Sequence, residues 1–232
     1  MKHLKDQVLI LLVATIFLFG CRSGLEHEQS VIHYSKQDDS SYDWLLYEVN
    51  QKAELIKEEI ENKEVLRLEN GLISRSFIIE PNLACIQYKN LMTGEAILRG
   101  VKPEALVKID GRNYEVGGLK GQEEYAYINR EALGKLTNNP IAFRFVDYTS
   151  NPIRKRMEWN RKPYGDPKAV WPPKGIELVL NFEAPANAEK KLSNLTVAVH
   201  YEIYDGIPLL SKWITIENGG STDITINSFS SE

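Results

Sequence analysis

The stretch Leu195–Phe229, LTVAVHYEIYDGIPLLSKWITIENGGSTDITINSF, decides the fold class. Side chains of an extended strand alternate between its two faces. Leu195, Val197, Val199, Tyr201 and Ile203 therefore share an apolar face, while Thr196, Ala198, His200, Glu202 and Tyr204 share a more polar one. Asp205-Gly206 supplies a turn, because glycine accepts positive φ and aspartate can bond its own backbone. A second strand is expected over Leu209–Glu217, a turn at Asn218-Gly219-Gly220, and a third strand near Ile224–Phe229. Three strands joined by short turns predict an antiparallel meander whose apolar face needs a covering layer. Trp213 and Ile214 point to opposite faces of the second strand, so at least one of them is expected to be fully buried.

Upstream, the same signals repeat. Short apolar runs occur at Val65–Leu68, Leu72–Glu80, Ala84–Tyr88, Ala105–Ile109, Tyr114–Val116, Ile141–Tyr148 and Ile176–Phe182. Turn residues separate them, among them Asn70-Gly71, Thr93-Gly94, Asp110-Gly111, Gly117-Gly118 and Asn138-Asn139-Pro140. Many short strands with this punctuation predict a mostly β, antiparallel sandwich over 65–232. At most one short helix is expected, near the N-terminus. The segment 42–64 is read as that helix or as a first strand. Leu46, Val49, Ala53, Ile56 and Ile60 have helical spacing, Asp43 can cap the start, and Glu48–Lys52 adds i,i+4 support. The competing pattern is a strand over Ala53–Glu58 with a hairpin turn at Glu61-Asn62-Lys63.

One segment breaks the rhythm. Asn151–Gly175, NPIRKRMEWNRKPYGDPKAVWPPKG, holds five prolines, seven Lys or Arg, two acids, and Trp159, Tyr164 and Trp171. It is too proline-rich for a central strand, and a loop this long is more often functional than not. Its aromatics are the candidate carbohydrate contacts: Trp159, Tyr164 and Trp171 can offer apolar faces to sugar rings, with Arg154, Arg161 or Asn160 bonding hydroxyls. The same rings could instead cover the sandwich core.

Residues 1–20 read as a signal peptide. Lys2 and Lys5 precede the apolar run Val8–Phe19, which is twelve residues and shorter than the roughly 20 needed to span a bilayer. Leu18-Phe19-Gly20-Cys21 resembles the lipobox of bacterial lipoproteins, which implies lipid attachment at Cys21, cleavage before it, and a membrane as partner. Residues 21–41 then read as a flexible tether. Only Cys21 and Cys85 exist, so stability must come from the hydrophobic core, and Cys85 is expected inside it.

The net charge of −4 argues against nucleic acid as a partner. No cofactor and no metal site is indicated, because His3, His27 and His33 fall in the leader and tether, and His200 reads as a strand residue. Gly117-Gly118-Leu119-Lys120-Gly121 matches no phosphate-loop pattern and reads as a turn. Glu123, Glu124, Asp147, Glu202 and Asp205 are carboxylates of the right type for glycoside chemistry, but no pattern singles them out, and no catalytic residue is assigned.

The order of several short words resembles a known family. LENGLISRSF, PNLACIQYKNLMTGE, RGVKPEALVKIDGRNYEVGGLKGQ, FRFVDY and VHYEIYDGIPLLSKWITIENGG look like the N-terminal β-supersandwich of bacterial melibiase-type enzymes, the α-galactosidases of glycoside hydrolase family 36. The resemblance runs from about Val65 to Phe229. It implies a galactose-mutarotase-like sandwich, an oligosaccharide or galactoside as partner, and extended chain at Ala53–Glu58. It also implies a catalytic (β/α)₈ barrel in a longer polypeptide, so the chain alone is not expected to hydrolyse glycosides. The competing class is an envelope lipoprotein whose sandwich is a structural or protein-binding module.

Overall fold

A computed structural model of the chain describes residues 43–97, 100–123, 128–165 and 169–231. The signal segment 1–20, the tether 21–41 and the lipid site Cys21 lie outside the described residues. The strands in chain order are β1 (Glu54–Ile60), β2 (Lys63–Glu69), β3 (Ile73–Ile78), β4 (Ala84–Asn90), β5 (Ala105–Ile109), β6 (Arg112–Val116) and β7 (Leu119–Lys120). They continue as β8 (Thr137–Asn138), β9 (Arg144–Pro152), β10 (Gly175–Glu183), β11 (Leu195–Tyr204), β12 (Leu210–Asn218) and β13 (Ile226–Ser230). Two four-stranded sheets, β1-β2-β3-β4 and β12-β11-β10-β9, are accompanied by a three-stranded sheet, β13-β5-β6, and a β7-β8 ribbon. The strand pairs within these sheets are antiparallel. The chain is thus mostly β, in the sandwich class its alternating pattern predicts.

The core forms where the apolar faces meet. Leu195, Val197, Val199, Tyr201 and Ile203 of β11 are all buried, as alternation requires. They share one cluster with Leu178, Leu180 and Phe182 of β10, Leu66, Leu68 and Phe77 of the first sheet, and Val107 and Ile109 of β5. Burying each such side chain contributes about 1.5–3 kcal/mol. Phe77 and Tyr201 touch across the sandwich with ring centroids 5.2 Å apart. Truncating either to Ala should cost about 3–5 kcal/mol.

Three expectations change on contact with the structure, and one open choice is decided. First, of the two readings left open for 42–64 the structure takes the strand, and no helix forms over the described residues 43–63. Only Asp43 organises a turn, its carbonyl accepting from the Leu46 and Tyr47 amides and its side chain from the Leu45 amide. The rest is β1, which returns into β2 through Glu61 and Asn62, both at positive φ. The helical pattern offers a few tenths of a kcal/mol per i,i+4 pair, whereas β1 gains a ladder and packs Leu55 against the core. Second, the meander stops after two strands: β13 leaves β12 and pairs with β5. Reciprocal bonds between Asp110 and Thr225 fix that crossing, with the Thr225 amide donating to Asp110 Oδ1 and the Asp110 amide to the Thr225 carbonyl. Third, the α-helix among the described residues is α1 (Arg130–Leu133), in mid-chain and capped by Asn129, rather than near the N-terminus. Fourth, neither Trp213 nor Ile214 is fully buried, because β12 is an edge strand and both side chains are half-covered.

Candidate functional site

The proline-rich loop joins β9 to β10 of the second four-stranded sheet. Its base is closed where the Ile153 amide donates to the Gly175 carbonyl, at 3.4 Å. Gly175 is needed there: a Cβ would sit 2.2 Å from the Ile203 carbonyl oxygen, and its φ is +151°. Further out, Trp171 Nε1 donates to the Met157 carbonyl at 2.9 Å. That bond draws the two indoles together, with Trp159 and Trp171 centroids 5.8 Å apart and the planes tilted by 40°. Trp159 keeps 41% of its surface exposed, and Trp171 is half-buried. Tyr164 does not join them; it projects into solvent at 87% exposure.

A third tie holds the loop to the sheet. Arg156 reaches the polar face of β10, β11 and β12, where its guanidinium carbon lies 3.4 Å from the Trp213 ring centroid. Its Nη2 is 2.5 Å from Glu202 Oε1 and 3.3 Å from Glu177 Oε1. Glu177 and Glu202 are cross-strand partners, both buried. His200 stacks on Trp213, with centroids 4.8 Å apart, and its ring nitrogens meet Glu177 Oε1 at 3.1 Å and Thr215 Oγ1 at 3.0 Å. Tyr204 donates to Glu202 Oε2 at 2.8 Å. Burial, together with that carboxylate, pushes the Tyr204 hydroxyl above its usual range. Both carboxylates are therefore committed to a guanidinium and to neighbouring polar groups. The cluster fastens the loop, and its acids are not poised as a free acid/base pair.

Two concavities flank these groups. A shallow groove of about 280 Å³ on the polar sheet face is lined by Asp147, Asn181, Glu183, Thr196, Thr215 and Glu217 among others. Within it Asn181 donates to Asp147 at 2.6 Å. A cleft of about 410 Å³ at the base of the loop is lined by Lys52, Pro152, Ile153, Pro172, Pro173 and Lys174 with their neighbours.

The core holds its own polar knot. Glu104, buried, accepts from Tyr201 Oη and from the Cys85 amide at 3.0 Å, and pairs with Lys212 Nζ at 3.2 Å. The Arg75 guanidinium lies 4.9 Å from the Tyr201 ring centroid. Burial pushes the Cys85 thiol up to about 12, so it stays protonated and unreactive at neutral pH. Cys85 is a core residue, as its apolar setting predicts.

Of the residues singled out in the sequence, Trp159 and Trp171 are brought together and Tyr164 is not. Glu202 joins the fastening cluster, while Asp205 lies in the loop-base cleft, where its carboxylate accepts from the Ala53 amide at 2.8 Å. Glu123 is exposed, and Glu124 lies outside the described residues. The glycine pair Gly117-Gly118 is a tight turn: a Cβ on Gly117 would meet the Leu83 carbonyl oxygen at 2.5 Å. Sequence reading missed Arg156, Glu177 and Trp213. Strand alternation sets Glu177 on the face opposite Ile176 and Leu178, but the register that unites it with Trp213 needs the fold. Among the described residues, no three His, Cys, Asp or Glu side chains are placed to hold a metal ion, and no helix is long and apolar enough to cross a membrane. No family model, no characterised protein and no solved structure matches the chain.

Proposed function

We propose that this chain is the carbohydrate-associated β-sandwich of an exported, lipid-anchored bacterial envelope protein, with the Trp159–Trp171 pair as its glycan contact. The meeting of the two indoles carries this reading. Trp159 is partly exposed in a loop held at its base, at Trp171 and at Arg156. A fixed, exposed indole presents an apolar face to the C–H face of a sugar ring, with little ordering cost on binding. Lipid attachment at Cys21 rests on the resemblance of Leu18–Cys21 to a lipobox. A place beside the catalytic barrel of an α-galactosidase-like hydrolase rests on the resemblance of Val65–Phe229 to that family. The sandwich so placed is non-catalytic by itself.

A second reading draws on a different observation. Met157, Tyr164 and Val170 are also exposed in the same loop, and clustered exposed apolar side chains suit a protein interface. The alternative is then an envelope lipoprotein whose sandwich is a protein-binding module. Thermal melts separate the two, since a ligand that binds only the native state raises its melting temperature. A galactoside or oligosaccharide that raises it supports the first reading; no shift across a broad glycan panel leaves the second. Palmitate labelling that disappears in Cys21→Ser tests the anchor, and equal labelling of both proteins removes it.

A further inference from the structure

The charge of the proline-rich loop is out of keeping with the rest of the chain. Asn151–Gly175 carries seven basic and two acidic residues in a protein of net charge −4. Two of those cations are neutralised in place: Arg156 by Glu177 and Glu202, and Lys155 by Glu158 at 2.8 Å. Arg154, Lys162 and Lys174 have no acidic partner among the described residues, and neither does Lys52, which faces the loop from the segment before β1.

Lys52 and Lys174 both line the cleft of about 410 Å³ at the loop base. Pro172 and Pro173 form part of its wall and continue the chain directly from Trp171. One carboxylate, that of Asp205, shares the cleft, with one oxygen already accepting from the Ala53 amide. Two lysines without an acidic partner among the described residues thus line the cleft with one engaged acid, beside an apolar proline wall and next in sequence to the indole pair. An apolar wall with a few placed polar groups is the general form of a small-ligand site, and ammonium groups form their strongest hydrogen bonds with anions.

We infer that the glycan taken by this loop is anionic, a saccharide bearing carboxylate or sulfate groups, which Lys52 and Lys174 pair while the aromatic pair stacks on an adjoining ring. This rests on the reading of the loop as a glycan contact and adds the substrate class. A locally basic surface on an acidic protein also concentrates anions near it and repels them elsewhere, which favours docking at this corner.

The test titrates the full chain with polygalacturonate, a sulfated galactan, the matching neutral galactan and a single-stranded oligonucleotide, followed by tryptophan fluorescence. Lys52→Gln/Lys174→Gln is the comparison variant, its fold checked by an unchanged melting temperature. The anionic saccharides should bind at least tenfold tighter than the neutral one, an advantage that shrinks as ionic strength rises. The variant should lose roughly tenfold of that affinity, equivalent to about 1.4 kcal/mol, and lose less for the neutral galactan. Carboxylated and sulfated arms together show which anion is preferred. Anionic binding that survives in the variant overturns the inference, and so does an oligonucleotide that binds as tightly. Binding of the neutral galactan alone overturns the inference but leaves the loop as a glycan contact. Absence of binding in every saccharide arm overturns both.

Discussion

Glu177 and Glu202 stand directly opposite each other on β10 and β11, and a single nitrogen of Arg156 contacts both carboxylates. Like charges in that position repel, so the loop arginine offsets a penalty built into the sheet. Breaking a buried ion pair costs roughly 3–5 kcal/mol. Arg156 is more than a third exposed, and solvent screening reduces the figure for Arg156→Ala to about 1–3 kcal/mol. Adding Glu177→Gln should recover part of the loss. Urea melts of the two single variants and the double variant measure the coupling, and a value under about 0.5 kcal/mol contradicts the arrangement.

The loop aromatics should differ from one another. Tyr164→Ala and Trp159→Ala are expected to change stability by no more than about 0.5 kcal/mol, as at ordinary surface sites. Trp171→Ala should cost about 1–3 kcal/mol through its lost indole hydrogen bond and partial burial. A loss of roughly 3–5 kcal/mol at Trp159 would make that ring a core cover instead.

Within the core, Glu104→Ala leaves the Tyr201 hydroxyl and the Cys85 amide without their shared acceptor, and should cost about 3–5 kcal/mol. Burial first, and the Glu104 charge second, hold the Tyr201 hydroxyl well above its ordinary range. A group whose native pKa is raised contributes stability in full below its unfolded value, about 10 for tyrosine, and loses it as pH climbs beyond. Alkaline titration followed at the phenolate band should therefore show Tyr201 ionising only as the chain unfolds. Cys85 should likewise resist a disulfide reagent until denaturant is added. Prompt modification in native buffer would contradict its burial.

At the junction of β5 and β13 the sign is reversed. The Lys191 ammonium first, and the Thr225 amide second, hold the Asp110 carboxyl below the usual aspartate range. Its contribution is complete above the unfolded value of about 3.9 and is lost as pH falls through the native one. Amide exchange at Thr225, corrected for its intrinsic rate, should lose protection below about pH 4. Asp110→Asn should remove that pH dependence. Protection that is flat with pH in the unmodified protein would show that the ion pair does not hold the crossing.

Much of the sandwich was legible because period-two alternation is a local property. The buried face of β11 and the limits of β5 can be read residue by residue. What stayed open or failed depended on distant partners. Val49 through Ile60 has helical spacing, and only its pairing with β2 makes the latter part a strand. The Ile224–Phe229 segment is a strand by pattern, yet nothing in its own residues says that its neighbour is β5 rather than β12. For the loop, composition marked Trp159 and Trp171. Arg156 was one basic residue among seven until Glu177, Glu202 and Trp213 were aligned by register.

Sugar binding by the Trp159–Trp171 pair is the property on which the proposed function depends. The most direct measurement is calorimetric titration of oligosaccharides into the full chain and into Trp159→Ala, with melting temperatures recorded for both. The expected result is glycan binding by the unmodified chain, lost or weakened at least tenfold in the variant (about 1.4 kcal/mol), at an almost unchanged melting temperature. Undiminished glycan binding in Trp159→Ala, or a large fall in melting temperature with no glycan bound by either protein, would contradict it.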